Sequence, residues 1–114
     1  MGTLDIAVAA AGPDQQRAFV LQPAAPPGQQ VTFHLWVPPG CQVAGVQPYV
    51  QQGEHGRWQW TGHYVPLSML HCGEWNTLTV TVPSNAVMPL REMGLQIVTD
   101  RPWTGDLVLG SVRW

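Results

Sequence analysis

Lysine is absent from the 114 residues, and charged residues make up only 11% of them, against roughly 25% in an ordinary domain. Five Arg face seven acidic residues, for a formal net charge of -2. Nucleic acids and anionic membranes both call for a basic footprint, so this balance argues against either as a partner. No apolar run approaches the ~20 residues of a membrane-spanning helix. The opening Met1-Gly2-Thr3 lacks the charged start of a signal peptide, and Ile6–Ala11 is too short for its apolar core. The chain therefore reads as a module excised from something larger. A helix is missing as well. Nowhere do apolar residues at i, i+3, i+4 and i+7 persist over an 11-residue window. Cysteine is scarce, with two residues and no CxxC pattern, which excludes the usual zinc and dithiol motifs.

What is present points to a β-rich domain. The length fits one domain, and a chain of this size can bury about two-thirds of its unfolded surface. Hydrophobic residues make up 45%, enough to exclude disorder. Twelve Gly and 11 Pro punctuate the chain, and the runs between them are rich in Val, Thr, Leu, Ile and aromatics. They predict eight strands, at about Thr3–Ala10, Arg17–Gln22, Gln30–Val37, Val43–Gln51, Trp58–Pro66, Asn76–Val82, Met93–Thr99 and Asp106–Trp114. Alternation is clean in several. Val31, Phe33, Leu35 and Val37 share a face opposite Thr32, His34 and Trp36. Leu78, Val80 and Val82 alternate with Thr77, Thr79 and Thr81. Val46 and Val50 alternate with Gln47, Tyr49 and Gln51. Period-2 patterning with one polar face marks antiparallel sheets with one wet side. Eight such strands joined by Gly/Pro turns predict an all-β fold, an antiparallel sandwich and most simply a jelly roll, as a single domain over residues 1–114.

The inventory for catalysis is poor. None of the three Ser lies in a GxSxG elbow, and no GxxxxGK loop exists. His34, His55, His63 and His71 follow no metal-ligand spacing. His71 and Cys72 are adjacent, so on a strand they point opposite ways. Glycoside hydrolysis needs two carboxyl groups about 5–9.5 Å apart. Glu54 and Glu74 are the loop candidates, but the strand order puts their loops at opposite ends of a sandwich. The expectation is no catalytic residue, no metal and no cofactor.

From Val31 onward the chain resembles the jelly-roll carbohydrate-binding modules attached to secreted glycoside hydrolases such as mannanases and endoglucanases. The resemblance rests on an ordered set of pieces. They are the strand ending in Val37-Pro38, then Val46-Gln47-Pro48-Tyr49-Val50-Gln51-Gln52, Trp58-Gln59-Trp60, and Gly73-Glu74-Trp75-Asn76-Thr77-Leu78-Thr79-Val80 with Val82-Pro83. Gly94-Leu95-Gln96-Ile97 and Gly110-Ser111-Val112-Arg113-Trp114 complete it. Such modules often carry an Asp just before the Ser-Val pair of the last strand, where it helps to hold calcium. Here Gly110 occupies that place. Asp5 and Asp106 are few for an ion that takes six to eight oxygens, so no tight calcium site is expected.

The resemblance implies one sheet of the first, eighth, third and sixth strands and a second sheet of the second, seventh, fourth and fifth. The second would then present Tyr49, Gln47, Gln51 and Gln96 on one surface. Its second strand would add either Arg17, Phe19 and Leu21 or Ala18, Val20 and Gln22. Trp58 and Trp60 either join that surface or fill the core with Gln59 outside. Aromatic rings stack on the apolar faces of pyranoses, and Gln pairs with a hydroxyl in either sense. Neutral amides also avoid the desolvation cost of charge. Trp75 reads as core or rim, His34 and Trp36 as either a small exposed patch of the other sheet or residues covered by a loop, Trp114 as structural, and Trp103 as either a rim contact or a plug. Cys41 and Cys72 fall in loops at the same end of the implied sandwich, so they either form a disulfide or stay as two free thiols. A bridge would contribute roughly 3–4 kcal/mol and imply an oxidising, extracellular context. The implied function is non-catalytic binding of a neutral β-linked polysaccharide (β-1,4-glucan, mixed-linkage glucan or mannan) by a secreted, monomeric module linked to a glycoside hydrolase. Two alternatives stand beside it: a structural sandwich packed against a catalytic domain, and a small glycan-active enzyme.

Overall fold

Val31, Phe33, Leu35 and Val37 are all fully buried, while Thr32, His34 and Trp36 between them are half-buried. This alternation is the pleat of a strand with one face on a core. The computed structural model describes residues 3–11, 16–21, 23–100 and 104–114, with the backbone alone for 3–11, 16–21, 104 and 106. Among the described residues nine strands run in chain order: β1 (Thr3–Ala11), β2 (Gln16–Leu21), β3 (Gln30–Val37), β4 (Gly45–Gln52), β5 (Trp60–Gly62), β6 (Val65–Pro66), β7 (Glu74–Thr81), β8 (Leu90–Val98) and β9 (Thr104–Arg113). They form two antiparallel sheets. One has the order β1-β9-β3-β7 and the other β2-β8-β4-β5, with β6 paired to β4. With β8 and β9 as the expected seventh and eighth strands and β7 as the sixth, both implied sheet orders are found.

Phe33, Leu35, Leu78, Val80, Leu107 and Leu109 line the inner face of the first sheet. Val46, Val50, Met93, Leu95 and Ile97 line that of the second, and together they make one core. Truncating any of the larger ones to Ala would cost about 2–5 kcal/mol.

Nine strands replace the expected eight because the run Trp58–Pro66 is not one strand. Arg57 and Trp58 both take left-handed backbone, with φ of 57° and 58°. That conformation keeps Arg57 and Trp58 out of the ladder, whose first strand residue is Trp60. β5 then pairs with β4 only from Tyr49–Gly62 to Gln51–Trp60. Short 3-10 turns at Glu54–Gly56 and Leu67–Met69 flank this segment. Strand β8 starts three residues earlier than expected, at Leu90, so Arg91 and Glu92 belong to the sheet. Among the described residues no helix is long and apolar enough to cross a membrane. The expectations for Asp5, Ala18, Val20, Gln22, Trp103 and the side chain of Asp106 lie outside what is described.

One buried polar side chain holds the site end of the second sheet. Gln52 is 2% exposed, and its Oε1 accepts a hydrogen bond from the Val87 backbone N–H at 2.8 Å. Leucine fits the volume and leaves that N–H unpaired. Gln52→Leu is therefore expected to cost about 1–3 kcal/mol. Thermal denaturation should show a midpoint lowered by roughly 4–8 °C per kcal/mol.

Candidate functional site

The outer face of the second sheet is built from β4, β5 and β8 in register. Gln47 faces Gln96, Tyr49 faces Gly94 and Gln51 faces Glu92 across the β4–β8 ladder. On the other side of β4, Tyr49 pairs with Gly62 and Gln51 with Trp60. Residues directly opposite across a ladder share a face, so one surface gathers all of them.

Trp60 is its most prominent feature. The indole is 42% exposed and stacks on Tyr49 with ring centroids 5.4 Å apart and planes 22° from parallel. Its ring also runs along its own strand over Gly62. A Cβ built on Gly62 would meet Trp60 Cζ3 at 2.6 Å, well inside van der Waals contact. Gly62 is thus the cleared floor on which the ring lies flat, with one face backed by the sheet and the other open to solvent.

Tyr49 does not itself offer a ring to a ligand, contrary to the sequence-based expectation. It is 2% exposed, because Trp60 covers it and its hydroxyl is turned to donate to the Glu92 carboxylate. Alternation placed Tyr49 on the outer face correctly. The ring that caps it comes from a neighbouring strand, which alternation within β4 cannot show. Tyr49 acts as the backing of Trp60.

Trp58 reaches the same region by another route. It is 47% exposed and sits in the left-handed pair with Arg57 rather than on a strand. Non-glycine residues in this conformation cost roughly 1–2 kcal/mol each. The loop is held against that cost by Trp58 N–H to Gly53 C=O at 3.0 Å and Arg57 N–H to Glu54 C=O at 2.9 Å. The Gln51 side-chain amide donates to the Trp58 carbonyl at 3.2 Å. The Arg91 guanidinium lies 5.1 Å from the Trp58 ring centroid, a cation–π contact. Its Nε is 3.8 Å from Glu92 Oε1. Both Trp residues are therefore exposed rather than core.

The three glutamines divide in role. Gln51 spends its amide on the Trp58 loop. Gln47 Nε2 donates to Gln96 Oε1 at 3.3 Å, joining the two into a half-buried amide strip across β4 and β8. Arg91 and Glu92 are the residues that sequence reading missed. A charged pair inside an apolar strand, in a chain with 11% charge, was the available signal. Arg17, opposite Gln96 on β2, and Phe19 and Leu21 have described backbone only.

Cys41 and Cys72 are free thiols, the first buried and the second exposed. Burial pushes the Cys41 thiol up, a backbone bond at Val43 draws it partly back, and the neighbouring Cys72 adds to the rise. A raised pKa means less thiolate, the reactive form, at any pH below it. Iodoacetamide at pH 8 followed by intact-mass and peptide analysis should thus label Cys72 first and Cys41 only on unfolding.

Comparison with known proteins places this geometry. No family model and no curated protein sequence matches the chain. Among solved structures it is similar to a carbohydrate-binding module of the β-sandwich superfamily described for its promiscuous specificity. The TM-score is 0.81 at 20% identity, over 99% of this chain and 52% of the other, so the chain spans about half that protein's length. It is also similar to a xylan-binding module, CBM15, with a TM-score of 0.59 at 14% identity over 97% of this chain and 94% of that one. The likeness is one of fold, a two-sheet antiparallel β-sandwich.

Proposed function

We propose that the chain binds a neutral β-linked polysaccharide, without catalysis, on the outer face of β4, β5 and β8. The observation that carries this reading is the Trp60 indole laid flat over Gly62 and Tyr49 with its outer face open. A pyranose presents an apolar C–H face of matching shape, and an exposed stack of this kind gives affinity without charge. Trp58, tied to the same face through Gln51 and Arg91, adds a second exposed aromatic ring. The Gln47–Gln96 strip supplies amide groups to equatorial hydroxyls, and a neutral amide pairs with a hydroxyl as donor or acceptor. Arg91 lies over the Trp58 ring, and Glu92 holds Tyr49, the backing of Trp60.

The two solved structures named above are carbohydrate-binding modules, and one is xylan-binding. Candidate ligands are thus β-1,4-glucan, mixed-linkage glucan and mannan, with xylan added to the set. In a larger secreted protein the module would hold a linked glycoside hydrolase at its substrate, raising effective concentration without touching the chemistry.

The test is affinity electrophoresis of the chain in gels containing hydroxyethylcellulose, barley β-glucan, galactomannan or arabinoxylan. Retardation in at least one gel, with none in a gel without polysaccharide, is the expected result. Unchanged mobility in all four would remove this reading and favour a sandwich that packs against a neighbouring domain.

A further inference from the structure

The same construction recurs on the opposite sheet. Trp75 on β7 is 58% exposed, more than either Trp of the first face. Its indole reaches across β3 and lies over Gly110 on β9. A Cβ on Gly110 would meet Trp75 Cζ3 at 2.7 Å and Cη2 at 2.9 Å. Gly110 falls where the β3–β9 register shifts, between Leu109 and Ser111. Each sheet thus carries one exposed indole lying over a glycine.

Trp75 is held firmly for so exposed a residue. The side chain of Asn76, itself buried, accepts from His71 N–H at 2.8 Å and donates to the carbonyls of His71 and Glu74 at 3.0 and 3.1 Å. Gly73, at φ 78°, turns the chain into β7. This rigidity fixes the approach to Trp75, as a binding platform requires.

The surroundings of Trp75 are hydroxyl-rich. Thr77 and Thr79 follow it on the outer face of β7, and Ser111 Oγ lies 3.3 Å from His34 Nδ1 nearby. The two threonines also line a cleft of about 410 Å³ closed by His63, Tyr64 and Met69. Tyr64 is 44% exposed at its rim, and His63 Nδ1 is anchored 3.1 Å from the Thr79 carbonyl. An indole platform leading along a threonine row into a cleft with a tyrosine is a surface for a neutral sugar. A protein partner would be expected to meet a broader apolar patch.

We propose a second glycan-binding surface on the β1-β9-β3-β7 sheet, with Trp75 as the stacking platform and the Thr77–Thr79 row leading into the His63–Tyr64 cleft. It rests on the sugar-binding reading of the first face and makes the module bivalent, able to join two polysaccharide chains through opposite sheets.

The experiment is calorimetric titration of the intact chain with cellohexaose, mannohexaose and xylohexaose, together with turbidity of the matching polysaccharides. Trp60→Ala, Trp75→Ala and the double variant are compared, with circular dichroism to verify folding. Gly110→Val, which lifts the indole without deleting it, serves if Trp75→Ala unfolds. The expected result is two hexaoses per chain in the wild type, one in each single variant and none in the double. Turbidity should appear only with the wild type. One hexaose per chain, unaffected by Trp75→Ala and lost in Trp60→Ala, overturns the second surface and leaves the first. One hexaose lost only in Trp75→Ala keeps the second surface and removes the first. No binding by the wild type removes both. Self-association that light scattering shows to be lost in Trp75→Ala, with hexaose binding unchanged, assigns the face to chain–chain contact and overturns the proposal.

Discussion

Trp60→Ala is expected to weaken polysaccharide binding at the β4–β5–β8 face by about 30-fold, corresponding to roughly 2 kcal/mol, the order reached by buried aromatic anchors of interfaces. The folded state should change little. At 42% exposure the indole forms the outer layer of the face, and the core lies on the other side of the sheet. Gly62→Val makes the complementary test. It keeps every aromatic atom but fills the floor under the ring, where even a methyl group would sit 2.6 Å from Trp60 Cζ3. The indole must lift away from Tyr49. Gly62→Val should therefore lose binding almost as far as Trp60→Ala, although valine favours strands. Titration of both variants against the polysaccharide that retards the wild type checks this. Full binding by Gly62→Val would mean that the flat pose of the ring does not matter, and the stacking account would fail.

The fold was legible because its determinants are local. The period-2 run from Val31 to Val37 and that from Thr77 to Val82 each assign a buried and an open face by pleat geometry alone. The sheet orders were legible only through resemblance, since nothing in a strand's own pattern says which strand lies beside it. The site was legible in composition and less so in arrangement. Trp58 and Trp60, two residues apart, read as one face of one strand. The left-handed backbone at Arg57 and Trp58 puts them on different elements and lets both reach solvent. Tyr49 obeyed alternation and was still covered, because Trp60 arrives from β5. Arg91 and Glu92 fell outside the expected strand, which begins at Met93, whereas β8 begins at Leu90. Gly62 and Gly110 fell inside expected strands with no role of their own, yet each is the space that an indole occupies. That role depends on rings from elsewhere in the chain and cannot be seen one strand at a time.

Tyr49→Ala should be the most destabilising substitution in the site, at about 3–5 kcal/mol, the range for deleting a buried aromatic ring. Its ring is 2% exposed, and removing it leaves a void under Trp60 and takes a hydrogen-bond donor from the buried Glu92 carboxylate. Binding should fall as well, because the indole loses its backing. That loss alone would not show whether Tyr49 touches sugar. Tyr49→Phe separates the two roles. The ring stays, so Trp60 keeps its platform and polysaccharide affinity should remain within about threefold of wild type. The hydroxyl goes, so Glu92 loses one partner in a buried setting and stability should drop by about 1–3 kcal/mol. The two readouts move in opposite ways under the rival account. If the Tyr49 hydroxyl bonded a ligand, Tyr49→Phe would lose affinity while retaining its melting temperature. Thermal denaturation and titration of this one variant thus decide whether the middle of the face belongs to the ligand or to the support beneath Trp60.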